Sequence, residues 1–211
     1  MAAREAPPWT TQARHLESVS NASRPARPRR IKALVLDFDS TISTPTFLAR
    51  LNEFAVADKK DIFGCMSVEE QWANFGGAER VQQLANLLAE LQAAGVVLHI
   101  VSIGFRAAFM PHLKTVGLLD FFAEARIFGQ DSSELRAVGF VKGLLIEQLM
   151  AASSWEHDDV LFVDDSWSHI ERAAEVCRVL LVSHDSKSSV GGMAQAEFDA
   201  IHSAALGGAS Q

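Results

Sequence analysis

The sequence predicts an α/β fold: a doubly wound, Rossmann-like and mostly parallel sheet of about five strands with helices on both faces. Short runs of Val, Leu and Ile alternate along the chain with longer segments of helical periodicity, which is typical of a parallel sheet. The strand runs are apolar at almost every position, as in strands that are buried on both faces. The 211 residues, 48% hydrophobic and 21% charged, suffice for one globular domain with its own core.

Each element is predicted from its pattern and from the residues at its ends. Ser67 and Glu70 have the spacing of a capping box and mark the start of a short helix. A long apolar stripe follows and predicts a helix that stops at Gly95. The predicted strands cover 31–38, 96–103, 125–129, 159–164 and 178–183, and the predicted helices cover 46–57, 67–75, 78–95, 105–117, 141–152, 167–176 and 193–206.

Residues 1–30 differ from the rest of the chain. They contain six Arg against two Glu and lack apolar periodicity, so we expect a disordered Arg- and Pro-rich tail before a single domain at 31–211. An organelle-targeting role for the tail is possible, and the cytoplasm is the expected compartment otherwise. The net charge of -7 argues against binding to nucleic acid or to an anionic membrane. No apolar run reaches the roughly 18–20 residues of a membrane span.

Polar residues cluster at one predicted edge of the sheet. The carboxyl ends of parallel strands meet at the same edge, and folds of this class bind ligands there. Four carboxylates at this edge would repel each other without a cation, and oxygen ligands favour Mg²⁺. The sequence therefore predicts a magnesium site. The residues concerned are Asp37 and Asp39 after the first strand, Ser102 after the second, Lys142 at a helix start, and Asp164 and Asp165 at the end of the fourth strand.

Four short segments in this order resemble the motifs of the haloacid dehalogenase-like hydrolase superfamily. They are "DFDST" (37–41), "HIVSIG" (99–104), "VKG" (141–143) and "VLFVDDS" (160–166), and the similarity spans about 31–183. The third motif depends on one residue, Lys142, and Lys114 is an alternative. Segment 42–77 lies where one type of cap is inserted in this superfamily, so the resemblance implies a small helical cap there.

The resemblance implies a Mg²⁺-dependent phosphatase that works through an aspartyl-phosphate. Asp37 would attack the phosphoryl group, and Asp39 would protonate the leaving oxygen and later activate water. Ser102 and Lys142 would bind the phosphoryl oxygens. Thr41 and Gly104 complete the implied substrate-binding set. The implied metal ligands are Asp37, the backbone carbonyl of Asp39, Asp165, and Asp164 either directly or through water.

The substrate is expected to be a phosphorylated small molecule or a phosphoprotein, because a small cap leaves the site open. A second subunit could complete the lid, so a homo-oligomer is possible. Within the superfamily, the acid at Asp39 disfavours halide displacement but leaves a phosphomutase as an alternative. A catalytically silent interaction scaffold is the alternative from another class of protein.

Overall fold

A five-stranded parallel sheet forms the centre of the protein, in the order β3-β2-β1-β4-β5. The computed structural model describes residues 29–183 and 191–207. The predicted α/β fold with about five parallel strands is confirmed. The predicted tail, apart from Arg29 and Arg30, lies outside the described residues. The strands are β1 (Ala33–Leu36), β2 (Val97–Val101), β3 (Ile127–Phe128), β4 (Val160–Asp164) and β5 (Arg178–Leu181).

Helices connect the strands, and most begin within a few residues of the predicted positions. The helix predicted over 46–57 is shorter, because it ends at Leu51 and a turn follows Asn52. None of the helices in the described part of the chain has the length and apolarity that a membrane span requires. The helices are α1 (Pro45–Leu51), α2 (Val68–Ala73), α3 (Ala78–Ala93), α4 (Arg106–Thr115), α5 (Ser133–Ala137), α6 (Lys142–Ser153), α7 (Trp167–Ala173) and α8 (Gln195–Leu206).

Apolar cores lie on both faces of the sheet. Along β1, Leu34 and Leu36 belong to one buried cluster, whereas Ala33 and Val35 belong to the other. This alternation follows from the period of two in a strand. The first cluster includes side chains of α3, α4 and α8, and the second includes side chains of α6 and α7. The sheet is therefore doubly wound, as the near-continuous apolar strands predict.

The segment between β1 and α3 contains α1, a short 3-10 helix (Lys59–Cys65) and α2. The capping box of Ser67 and Glu70 is present at the start of α2. Phe47, Ile62 and Phe75 of this segment are buried in the first core cluster. The segment predicted to form a small helical cap is thus packed onto α4 and the core beneath it, close to the carboxyl edge of the sheet.

Candidate active site

Two neighbouring strands bring the main carboxylates together. β1 and β4 pair in parallel, with Leu36 opposite Val163, so the residues that follow them lie side by side. The backbone N–H of Asp37 donates to the Val163 carbonyl at 2.9 Å and extends this pairing by one residue. Asp37 therefore lies at the end of β1 beside Asp164, the last residue of β4.

Lys142, the first residue of α6, lies between these two carboxylates. Its Nζ is 2.5 Å from Oδ1 of Asp37 and 2.7 Å from Oδ2 of Asp164, and its side chain is 2% exposed. Lys114, the alternative for the third motif, is exposed near the end of α4. The geometry thus favours Lys142 as the cation of this cluster.

Burial and charge act in opposite directions on this cluster. Burial raises the pKa of Asp37 well above its usual range, against the opposing charge of Lys142. Burial alone would lower the pKa of Lys142, but the charges of Asp37 and Asp164 outweigh it and raise that pKa, so the ammonium stays charged. The pKa of Asp164 is lowered despite burial, because His169, Lys142 and the Ser166 N–H bind its carboxylate.

Asp39 lies on the other side of this cluster, against Ser102. The Ser102 hydroxyl donates to Oδ2 of Asp39 at 3.2 Å, and the Gly104 N–H donates to the Ser102 Oγ at 3.0 Å. Within the described residues, Oδ1 of Asp39 is buried without a hydrogen-bond partner. Burial raises the pKa of Asp39. A Cβ atom on Gly104 would lie 3.1 Å from Oδ2 of Asp39, so this position leaves little space for a side chain.

A tight turn after Asp37 sets the direction of the Asp39 side chain. Ser40 has a φ of 55°, in the left-handed region that a non-glycine residue adopts only at a cost. Its N–H donates to Oγ of Ser43 at 3.2 Å, and that hydroxyl donates to the Phe38 carbonyl at 3.0 Å. These contacts hold the turn closed and fix the direction in which the Asp39 side chain leaves β1.

Arg80 stabilises this turn through its backbone carbonyls and was not among the residues predicted for the site. Its guanidinium donates to the carbonyls of Thr41 at 3.0 Å and Ile42 at 2.7 Å, and to that of Phe75 at 2.9 Å. It also donates to the Met193 carbonyl at 3.1 Å. Burial lowers the pKa of Arg80 to about 10. Thr41, predicted to bind substrate, has a fully buried side chain, and its role there stays a prediction.

Three carboxylates are arranged so that a metal ion could bind between them. Oxygen atoms of Asp37, Asp164 and Asp165 all lie within 4.8 Å of one another. All three donors are carboxylate oxygens, the ligands that Mg²⁺ prefers, so this set fits the ion. The carboxylate of Asp39 is not in this group, and a role of its backbone carbonyl as a ligand stays a prediction.

His169 is a further contact of the cluster and was not among the residues predicted for the site. Its Nδ1 lies 3.1 Å from Oδ2 of Asp164, and the Ser166 N–H donates to Oδ1 of the same residue at 2.8 Å. His169 lies five residues after Asp164, on the first turn of α7, and this short spacing is the signal that could have indicated it. Together with Lys142 these groups fix the orientation of the Asp164 carboxylate.

A cavity of about 290 Å³ opens beside Asp39. Ile103, Gly104 and Phe105, which follow β2, line one side, and the segment that follows β1 contributes the other. Pockets that bind small ligands start at about this size. Asp39 therefore lies between the carboxylate and lysine cluster on one side and a space for a ligand on the other.

Comparisons with known proteins gave structural likenesses only. No protein-family model and no curated protein matches the sequence. A haloacid dehalogenase-like hydrolase from Streptococcus pneumoniae is 17% identical, with a TM-score of 0.46 over 81% of this chain and 90% of that one. A predicted phosphoglycolate phosphatase from Haemophilus somnus is 16% identical, with a TM-score of 0.49 over 78% of this chain and 88% of that one.

A haloacid dehalogenase-like hydrolase from Xanthomonas campestris is 10% identical, with a TM-score of 0.47 over 84% of this chain and 97% of that one. Two of these three proteins are named as haloacid dehalogenase-like, and the other is named as a phosphatase. At such identities and TM-scores the likeness carries no conclusion about activity, and the case for a function comes from the site itself.

Proposed function

We propose that the protein is a Mg²⁺-dependent phosphatase of the haloacid dehalogenase-like type, which hydrolyses a phosphomonoester through an aspartyl-phosphate on Asp37. One observation carries the proposal. Lys142 holds Asp37 at the end of β1, and Asp39 lies two residues further on, bound to Ser102 and bordering an open cavity. These residues would supply the nucleophile, the cation and the proton donor that phosphoryl transfer to a carboxylate needs.

Asp37 is the proposed nucleophile. Its carboxylate attacks phosphorus, the bond to the leaving oxygen breaks, and the phosphoryl group is transferred to Asp37. Lys142 contacts Oδ1 of Asp37 at 2.5 Å and restricts the rotation of the carboxylate. The same ammonium, together with the Ser102 hydroxyl, would stabilise negative charge on the phosphoryl oxygens.

Asp39 is the proposed acid and base. Its carboxyl group borders the cavity, so it can give a proton to the leaving oxygen and afterwards take one from the water that hydrolyses the aspartyl-phosphate. Before a substrate binds, the Ser102 hydroxyl donates to Oδ2 of Asp39 and orients this carboxyl group. Because Asp39 lines the cavity, the leaving group would occupy that space.

Asp37, Asp164 and Asp165, with the backbone carbonyl of Asp39, would hold Mg²⁺. The ion would supply positive charge that allows an anionic phosphate to approach an anionic carboxylate. The contacts of Lys142 with both Asp37 and Asp164 support a need for positive charge at this edge of the sheet.

Hydrolysis of p-nitrophenyl phosphate by the purified protein, with Mg²⁺ or with a chelator, tests the proposal. Asp37→Asn is expected to lower turnover by about a thousandfold or more. Asp159→Asn is a matched control, because Asp159 is also fully buried and also binds a lysine, Lys32, at 2.9 Å. It precedes β4 and so lies at the edge of the sheet opposite the proposed site. The control should lose stability and keep its activity. Metal-independent turnover, or an active Asp37→Asn, would refute the proposal.

A further inference from the structure

The cavity beside Asp39 has an uneven lining that favours one kind of leaving group. Leu48 and Leu51 of α1 and Val56 of the turn after it form an apolar wall, and Phe105 lies across the cavity from the end of β2. Val56 is 69% exposed, so this wall continues to the surface. An apolar surface of this kind is stabilised when a hydrocarbon or aromatic body covers it.

One lysine interrupts the apolar lining. Among the described residues that line the cavity, Lys59 is the only cation, and Asp39 is the only other charged group. The Lys59 Nζ donates to Oδ1 of Asn52 at 2.9 Å, a neutral partner, and no carboxylate of the described residues forms an ion pair with it. An anionic group on a ligand would gain a charge-assisted hydrogen bond there, whereas a neutral group would gain much less.

The volume indicates how much of a ligand the cavity can hold. A space of about 290 Å³ corresponds to about ten water molecules, and so to about that many non-hydrogen atoms of a leaving group. A single ring or a short branched chain would fill it. Gln130 on the β3 side adds an amide that can bond to a polar substituent.

We infer that the substrate is a small phosphomonoester whose leaving group has an apolar or aromatic body and ends in a carboxylate that binds Lys59. This inference rests on the proposed phosphatase activity, since it places the leaving oxygen at Asp39. Lys59 is then a specificity-determining residue that takes no part in the chemistry at phosphorus. The leaving group lies along the apolar wall between the two.

Two aryl phosphates of the same shape test the inference. In 4-carboxyphenyl phosphate the ring carries a carboxylate, and in 4-carbamoylphenyl phosphate it carries a neutral amide. The wild-type protein is expected to prefer the carboxylate by about tenfold in kcat/KM, as one charge-assisted hydrogen bond predicts. Lys59→Met should reduce this preference to about one, by lowering kcat/KM for the carboxylate ester.

Lys60→Met is the matched control, because Lys60 is the exposed neighbour of Lys59 and does not line the cavity. It should keep the preference. If Lys59→Met keeps it as well while all esters are hydrolysed, the inference is wrong and the proposed function stands. If the wild-type protein shows no preference, the inference fails in the same way.

Binding of the corresponding benzylphosphonates, measured by calorimetry, separates recognition from turnover because their phosphorus–carbon bond is not hydrolysed. The 4-carboxybenzylphosphonate should bind the wild-type protein about tenfold more tightly than its carbamoyl analogue, and Lys59→Met should bind both equally. Equal binding to the wild-type protein would overturn the inference. Absence of hydrolysis of every ester would overturn the proposed function, and the inference about the substrate with it.

Discussion

Replacing Lys142 by Met is the most informative change at the site. Methionine is similarly long and unbranched but carries no charge, so Asp37 and Asp164 would face each other without the ammonium that lies 2.5 and 2.7 Å from them. Removing one partner of a buried ion pair costs about 3–5 kcal/mol, because the remaining charge stays buried and uncompensated. For a domain of this size each kcal/mol lowers Tm by about 2–4 °C, so a decrease of roughly 6–20 °C is expected.

Thermal and urea unfolding in metal-free buffer measure this loss. The double variant Lys142→Met with Asp37→Asn also removes one of the two carboxylate charges. Its loss in the free energy of unfolding should therefore be about 1–3 kcal/mol smaller than the sum of the losses in the two single variants. Lys114→Met is the control, since Lys114 is exposed and should change stability by less than about 0.5 kcal/mol. Additive losses, or an unchanged Tm in Lys142→Met, would refute the reasoning about the buried cluster.

Three further predictions concern the surroundings of the site. Arg80→Met should lower the free energy of unfolding by about 2–4 kcal/mol, because four backbone carbonyls lose their hydrogen-bond donor. Arg80→Lys should not restore this stability. Urea midpoints equal to that of the wild-type protein would contradict the prediction. Gly104→Ala should lower kcat/KM by about tenfold or more with little change in Tm, since the new Cβ would press on the Asp39 carboxylate; full activity would argue against that contact. His112 is buried, and burial lowers its pKa to about 4. Between about pH 6.5 and 4, His112 is therefore protonated in the unfolded chain but neutral in the folded protein. The free energy of unfolding should decrease by up to about 3 kcal/mol as the pH is lowered through this window. His112→Phe should reduce this slope in urea unfolding, and an unchanged slope would exclude the histidine as its source.

Much of the site could be predicted because its residues follow strands that are easy to recognise. The apolar run before Asp37 marks a strand buried on both faces, and Asp164 ends another, so parallel pairing alone brings the two acids to one edge. Lys142 could be placed only as a polar residue at a helix start. Its position between the two carboxylates depends on how α6 packs against the sheet, which no local pattern specifies.

Other features could not be predicted from the sequence, because they depend on packing between segments that are distant along the chain. Arg80 lies on the buried face of α3, four residues before Leu84, but its acceptors belong to segments at 41–42, 75 and 193 that only the fold brings together. The helix predicted over 46–57 ends early because a turn after Asn52 lets Phe54 pack against the core without further helix. The strand predicted over 125–129 shortens to Ile127–Phe128, since the residues before it form a 3-10 turn.

In the proposed mechanism Asp37 carries the phosphoryl group during turnover. To test this, the protein is quenched in acid during hydrolysis of an aryl phosphate with Mg²⁺, and the phosphoryl group is located by peptide mass spectrometry, with Asp37→Asn in parallel. A hydroxylamine-sensitive phosphoryl group is expected on Asp37 in the wild-type protein and none in the variant. A phosphoryl group on another residue, or continued turnover with no phosphorylated protein under any quench condition, would contradict it.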